Sequence, residues 1–175
     1  MAKTLVVYKS KYGSTKQYAE WIAQDIGATA LPVDDAKPEM LDGVGTLVFG
    51  GHLHASSIAG SKFVRSNWER LKGKNVIIFT VSGSQPDDPD LQAAVAGNFP
   101  ASIREKAAVF YLRGRAGKLD FLDSTLMLFP KMKAYLEYMK TKDKGALEAF
   151  EKMHTFDFVS RESIAPIVKK VRDLG

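Results

Sequence analysis

At 175 residues, 45% of them hydrophobic, the chain is the size of one domain with a core of its own. It has no cysteine, which excludes disulfides, thiolate nucleophiles, iron–sulfur clusters and thiolate zinc sites, so any redox chemistry has to come from a bound cofactor. The net charge of +5 is uneven: residues 1–100 carry ten charges of each sign, residues 101–175 fifteen basic against ten acidic, a balance that suits either an anionic partner or a merely solvated lysine-rich face. No apolar run approaches the roughly 18 residues of a membrane span, and the start Met-Ala-Lys-Thr lacks a signal-peptide pattern. The expectation is one soluble, cytoplasmic domain over residues 1–175.

In chain order, Thr4 to Tyr8 is a short β-branched run of the kind buried on both faces of a sheet. A polar loop follows. From Thr15 to Ile26 apolar residues fall at helical spacing (Tyr18, Ala19, Ile22, Ala23, Ile26), and Gly27 supplies a stop. Ala28 to Val33 predicts a second strand and Thr46 to Gly50 a third. Phe63, Val64, Asn67, Trp68 and Leu71 trace a second helix, and Asn75 to Val81 is the clearest buried strand. Leu91 to Phe99 reads as a weaker helix, Ala107 to Leu112 as a fifth strand, and Ile164 to Leu174 as a terminal amphipathic helix. Five strands alternating with helices predict an α/β fold with a parallel sheet and right-handed crossovers.

Arg115 to Phe158 is far longer than a crossover requires and predicts an insertion before the last helix. Within it Leu119, Leu122, Leu126, Phe129, Met132, Leu136 and Met139 keep helical spacing. Lys131, Lys133, Lys140, Lys142 and Lys144 form a polar side, and Pro130 predicts a break into two helices.

The chemistry points to Ser10-Lys11-Tyr12-Gly13-Ser14-Thr15, between the first strand and the first helix. In an open parallel sheet ligands sit at the carboxyl ends of the strands, where a helix N-terminus offers free N–H groups and a positive dipole end. Hydroxyls of Ser10, Ser14 and Thr15 add donors, and Gly13 lets the backbone fold closely around an anion. The same residues also suit an ordinary N-cap turn. Neither the phosphate loop of nucleoside triphosphatases nor the dinucleotide glycine fingerprint is present.

The stretch from Tyr8 to Ala19 (Tyr-Lys-Ser-Lys-Tyr-Gly-Ser-Thr-Lys-Gln-Tyr-Ala) resembles the phosphate loop of flavodoxins, pattern [ST]-x-x-G-x-[ST]-x-x-x-A. The resemblance implies a five-stranded parallel sheet in the order 2-1-3-4-5, helices on both faces, and flavin mononucleotide (FMN) as cofactor. It places the phosphate on Ser10 to Thr15 and the isoalloxazine ring against the loops after the third and fourth strands. Those are Gly51-His52-Leu53-His54-Ala55-Ser56-Ser57 and Ser82-Gly83-Ser84-Gln85-Pro86.

The sequence departs here from the electron-carrying flavodoxins, which sandwich the ring between aromatic residues and surround it with carboxylates. Neither loop contains an aromatic residue, and neither is acidic. Instead His52 and His54 set near-neutral bases at the expected ring edge, where a protonated imidazole would favour reduced, anionic flavin and relay protons. That predicts two-electron chemistry with His52 and His54 as the catalytic pair. Simple loop packing and half of a metal site are the other readings of the pair, the metal one weakened by the lack of a third ligand nearby in sequence.

With its long insertion, basic second half and histidine-bearing loop, the layout resembles the flavodoxin-like, menaquinone-dependent protoporphyrinogen oxidases. The resemblance implies a quinone and a porphyrinogen as redox partners, and a basic segment over residues 115–144 that suits an anionic membrane surface. A soluble electron carrier with a protein redox partner, and a binding module that has lost its flavin, are the competing functions. Nucleic acid is disfavoured, because the basic residues sit among aliphatic ones without a stacking platform.

Overall fold

A computed structural model describes residues 3–116, 139 and 156–175. The chain divides into two compact units, residues 1–114 with 159–175, and residues 115–158. The first holds β1 (Thr4–Lys9), α1 (Ser14–Ile26), β2 (Thr29–Pro32), β3 (Thr46–His54), β4 (Ser57–Ile58), α2 (Ser61–Ser66), α3 (Trp68–Leu71), β5 (Asn75–Ser82), α4 (Pro89–Asn98), α5 (Ala101–Arg104), β6 (Ala107–Arg113) and α6 (Ala165–Asp173).

The five long strands pair in parallel in the order β2-β1-β3-β5-β6, the order 2-1-3-4-5 expected of five strands. Because both faces are covered, the central strands are apolar throughout rather than alternating. Val6, Val48, Ile77, Phe79 and Val81 pack with Tyr18, Ile22, Ile167 and Val168 from α1 and α6 on one side. Val7, Leu47, Phe49 and Ile78 pack with Val64, Leu71, Val95, Phe99 and Ile103 from α2 to α5 on the other.

The helix expected through Phe63 to Leu71 is two short helices. They meet at Asn67, whose backbone N–H and side-chain amide both donate to the Phe63 carbonyl, at 3.2 and 2.8 Å, and so close off the first of them. Helix α4 begins at Pro89, two residues ahead of the expected start, because Asp88 caps it by accepting from the Asp90 N–H at 2.9 Å.

Around the long excursion the first unit is tied to α1. The Tyr18 hydroxyl donates to the Arg113 carbonyl at 2.7 Å and accepts from the Ser160 N–H at 3.2 Å, and Arg161 pairs with Asp25 at 2.6 Å. In the second unit β7 (Arg115–Ala116) and β8 (Phe156–Asp157) form an antiparallel ribbon, with Phe156 stacked on Phe158 at 5.0 Å. Of the helical stretch expected from Leu119 to Met139, Met139 is described and is helical and exposed, while the other residues, the break at Pro130 and the lysine-rich side lie outside the described residues. Among the described residues no helix is long and apolar enough to cross a membrane.

Candidate functional site

The carboxyl ends of β1, β3, β5 and β6 come together in the first unit. In register, Lys9 of β1 lies beside Gly51 of β3, His52 beside Val81 of β5, and Ser82 beside Arg113 of β6. Every loop singled out from sequence leaves the sheet at this end. The β6 end closes on the first helix: a methyl group added at Gly114 would lie 2.9 Å from Val81 Cγ1 and 3.5 Å from Ser14 Oγ.

Residues 10–13 turn tightly between β1 and α1. Gly13 is the N-cap of α1 with φ of +86°, a conformation that disfavours any side chain. No side chain caps the helix, and Ser14 and Thr15 are buried in its first turn. The first N–H groups of a helix have no partner within it, so this terminus presents donors and the positive dipole end to whatever sits over it. Ser10 Oγ and the Tyr12 hydroxyl are buried without a hydrogen-bond partner. Leaving such a group unpaired costs about 1–3 kcal/mol, so an anion that satisfied both would be held by relief of that cost as well as by charge.

Strand β3 runs four residues past its expected end at Gly50. What was expected to be a loop is a hairpin: His54 pairs with Ser57, Leu53 with Ile58, and the Ala59 N–H donates to the His52 carbonyl at 3.0 Å. The turn residues Ala55 and Ser56 have φ of +44° and +65°, the signs of a type I′ turn, in which Asn-Gly is preferred. Without that dipeptide the hairpin gave no local signal. Two residues expected to grip the ring also have packing roles. A methyl group at Gly51 would stand 2.6 Å from the Ala59 carbonyl oxygen, and Leu53 packs into the cluster beneath α2 to α5.

Alternation along β3 sets His52 and His54 on the α1 side with Val48 and Gly50. His52 is partly buried, and its Nδ1 lies 3.1 Å from the Lys9 carbonyl oxygen. A carbonyl can only accept, so Nδ1 carries the proton and Nε2 is left as the basic nitrogen. Burial first, then the charges of His54, Lys11 and Lys9, pull the His52 pKa below its ordinary value against the raising effect of that hydrogen bond. Desolvation thus favours the neutral form of His52, which leaves Nε2 a proton acceptor.

The loop after β5 is held by the Ser82 side chain and by the end of β6. The Ser84 N–H donates to Ser82 Oγ at 3.2 Å, Gly114 N–H to the Ser82 carbonyl at 2.7 Å, and Arg113 Nη2 to the Gly83 carbonyl at 3.3 Å. Gln85 is exposed, and its carbonyl accepts from the Asp88 N–H at 3.1 Å. Arg113 brings to this rim a cation that the sequence did not single out. Lys11 lies over the Tyr12 ring at 5.4 Å, and Lys9 pairs with Asp34 at 2.5 Å. Among the described residues no three His, Asp or Glu side chains gather as a metal would require.

The family model for the flavodoxin domain matches residues 5–144. The chain belongs to the flavodoxin domain family. Members of this family bind FMN and pass electrons to redox partners. None of the curated proteins matches the sequence. Among solved structures, an archaeal flavodoxin is similar at 22% identity over 66% of this chain and 86% of its own, with a TM-score of 0.50. A flavodoxin, WrbA-like protein from Agrobacterium tumefaciens is 25% identical over 62% of this chain and 82% of its own, at a TM-score of 0.44. The archaeal likeness shows the fold.

FMN fits the residues present. The two orphaned hydroxyls and the uncapped α1 N-terminus match the chemistry of a phosphate monoester, while the β3–β4 hairpin and the Ser82 to Gln85 loop stand at the neighbouring strand ends.

Proposed function

We propose that this flavodoxin domain is an FMN-dependent, two-electron oxidoreductase acting on an organic redox partner of the quinone or porphyrinogen class. One observation carries it: the His52 imidazole, its pKa lowered by burial, is fixed by its Nδ1 bond to the Lys9 carbonyl at the carboxyl end of β3, in a rim whose two ring loops hold no carboxylate. FMN, when bound, supplies electron transfer in one- or two-electron steps.

Ser10, Tyr12, Gly13, Ser14 and Thr15 would hold its phosphate through hydroxyls and the α1 N-terminus, each bond to the charged group contributing about 1.5–3 kcal/mol. Gly51 to Ala55 and Ser82 to Gln85 would border the ring, mostly through backbone. His52 Nε2 would accept a proton from a substrate N–H or O–H as electrons leave it, with the exposed His54 as a second base. Arg113 and Lys11 add positive potential, which favours negative charge on whatever occupies the rim. The whole chain acts as one flavodoxin domain carrying residues 115–158 as an insertion. The basic excess of residues 101–175 supports contact with an anionic membrane, where a quinone would be met.

Stepwise anaerobic reduction of the FMN-loaded protein, followed by absorption, tests this. The expected result is direct passage from oxidised to fully reduced flavin, and reoxidation by a soluble quinone in a single two-electron step. A half-reduced species that accumulates near full yield would instead support a one-electron carrier. A protein that takes up no FMN would leave a flavin-less binding module.

A further inference from the structure

The β3–β4 turn is made of residues ill-suited to it. Positive φ at two successive non-glycine residues is disfavoured, and Ala55 offers no side-chain group that could compensate locally. Whatever keeps the turn in shape must come from elsewhere in the fold.

It comes from Asn98, the last residue of α4 and buried. Its Nδ2 donates to the Ser56 carbonyl at 2.8 Å and to the Ala94 carbonyl at 2.8 Å. Its Oδ1 accepts from the Ile58 N–H at 3.0 Å and from Ser61 Oγ at 3.3 Å. Two donors and two lone pairs are thus all used. The amide orientation is forced, because two carbonyls require donors and an N–H requires an acceptor. Two of these bonds, to Ser56 in the turn and Ile58 just after it, reach across some forty positions of sequence. The bond to Ala94 alone would suffice for an ordinary residue at a helix end.

Asn98 is itself held firmly. The next residue, Phe99, is fully buried and meets Phe49 edge to face at 6.2 Å. Arg65 donates to the Asn98 carbonyl at 3.3 Å and Arg104 to the Phe99 carbonyl at 3.0 Å. A rigid amide therefore grips a turn that its own sequence would not choose.

The geometry points to Asn98 as the positioning residue of the histidine-bearing hairpin: by clasping Ser56 and Ile58 it sets where His52, His54 and the backbone between them stand. Its effect on FMN rests on the proposed function, in which that hairpin borders the ring. The clasp itself does not.

The test has two readouts, amide hydrogen exchange in the FMN-free protein and FMN affinity by fluorescence quenching. Asn98→Ala should speed exchange at Ile58 and Ala59 by about tenfold or more while leaving Ile77 and Ile78 of β5 unchanged, and should weaken FMN about tenfold. Adding Ala55→Asn and Ser56→Gly, the dipeptide that favours this turn, should return the Asn98→Ala protein to within about threefold of the starting affinity. A defect seated in α4 or the core would not respond to a change in the turn. Should Asn98→Ala not fold, Asn98→Asp keeps the shape but loses the donors while ionised; its FMN affinity should rise as pH falls and the buried carboxyl regains a proton to donate.

Unchanged exchange at Ile58, or Asn98→Asp following the starting protein at every pH, overturns the clasp. Faster exchange with unaltered FMN affinity overturns its role in the site. If the unsubstituted protein takes up no FMN, the proposed function fails while the exchange result still decides the clasp.

Discussion

Two turns border the candidate site, and they reach their shapes in opposite ways. Between β1 and α1 the one positive φ falls on a glycine, Gly13, with open space around it, so the backbone takes up the turn without strain. Between β3 and β4 the two positive φ values fall on Ala55 and Ser56, and a buried amide from α4 holds them. The first turn is specified by its own six residues. The second depends on tertiary contacts, and so on the rest of the domain being folded.

The largest expected effect separates two reasons for glycine. At Gly50, on the strand leading into the hairpin, a methyl group would stand 2.1 Å from Phe79 Cζ, in the core. At Gly13 nothing lies within 4 Å. Gly50→Ala should therefore destabilise by about 3 kcal/mol or more through overpacking, and Gly13→Ala by about 1–2 kcal/mol through its backbone alone. Urea unfolding measures both, and equal losses would erase the distinction.

Next in size, Thr15→Ala touches only the self-sufficient turn. It should weaken FMN by about 1–3 kcal/mol if a bond to a charged phosphate is lost. Unaltered affinity would remove Thr15 from the site.

The smallest effect concerns His52 and pH. Its pKa in the folded protein is lowered by burial, so well above pH 6.5 the group is neutral in both states and contributes nothing to the pH dependence. As pH falls below 6.5 the unfolded chain takes up the proton first, and stability declines until the pH is below the folded value. His52→Asn, which can still donate to the Lys9 carbonyl, should flatten that decline in urea titrations at successive pH values. An unchanged decline would assign it to other groups.

The same contrast explains what could be read from the sequence. The five parallel strands and the loop from Ser10 to Thr15 were legible because their signals are local: β-branched runs, helical spacing, and a glycine at the one left-handed position. The last four residues of β3 were not. Gly51-His52-Leu53-His54 is too polar to resemble a buried strand, and Ala55-Ser56 lacks the chemistry that announces a hairpin. Asn98 gave no signal either, since nothing in a helix-ending asparagine tells that it bonds residues 56 and 58. The lowered pKa of His52 depends on burial that only the fold reveals, and Arg113 joins the rim through the β5–β6 register.

The central claim is that FMN binds at the carboxyl ends of β1, β3 and β5, with its phosphate on the α1 N-terminus. Titrating 15N-labelled protein with FMN and following the backbone amides tests it most directly. The account predicts saturable shifts at Ser10 to Thr15, Gly51 to Ser57 and Ser82 to Gln85, the largest in the first turn of α1. Shifts confined to the opposite end of the sheet, or no shift at saturating FMN, would contradict it.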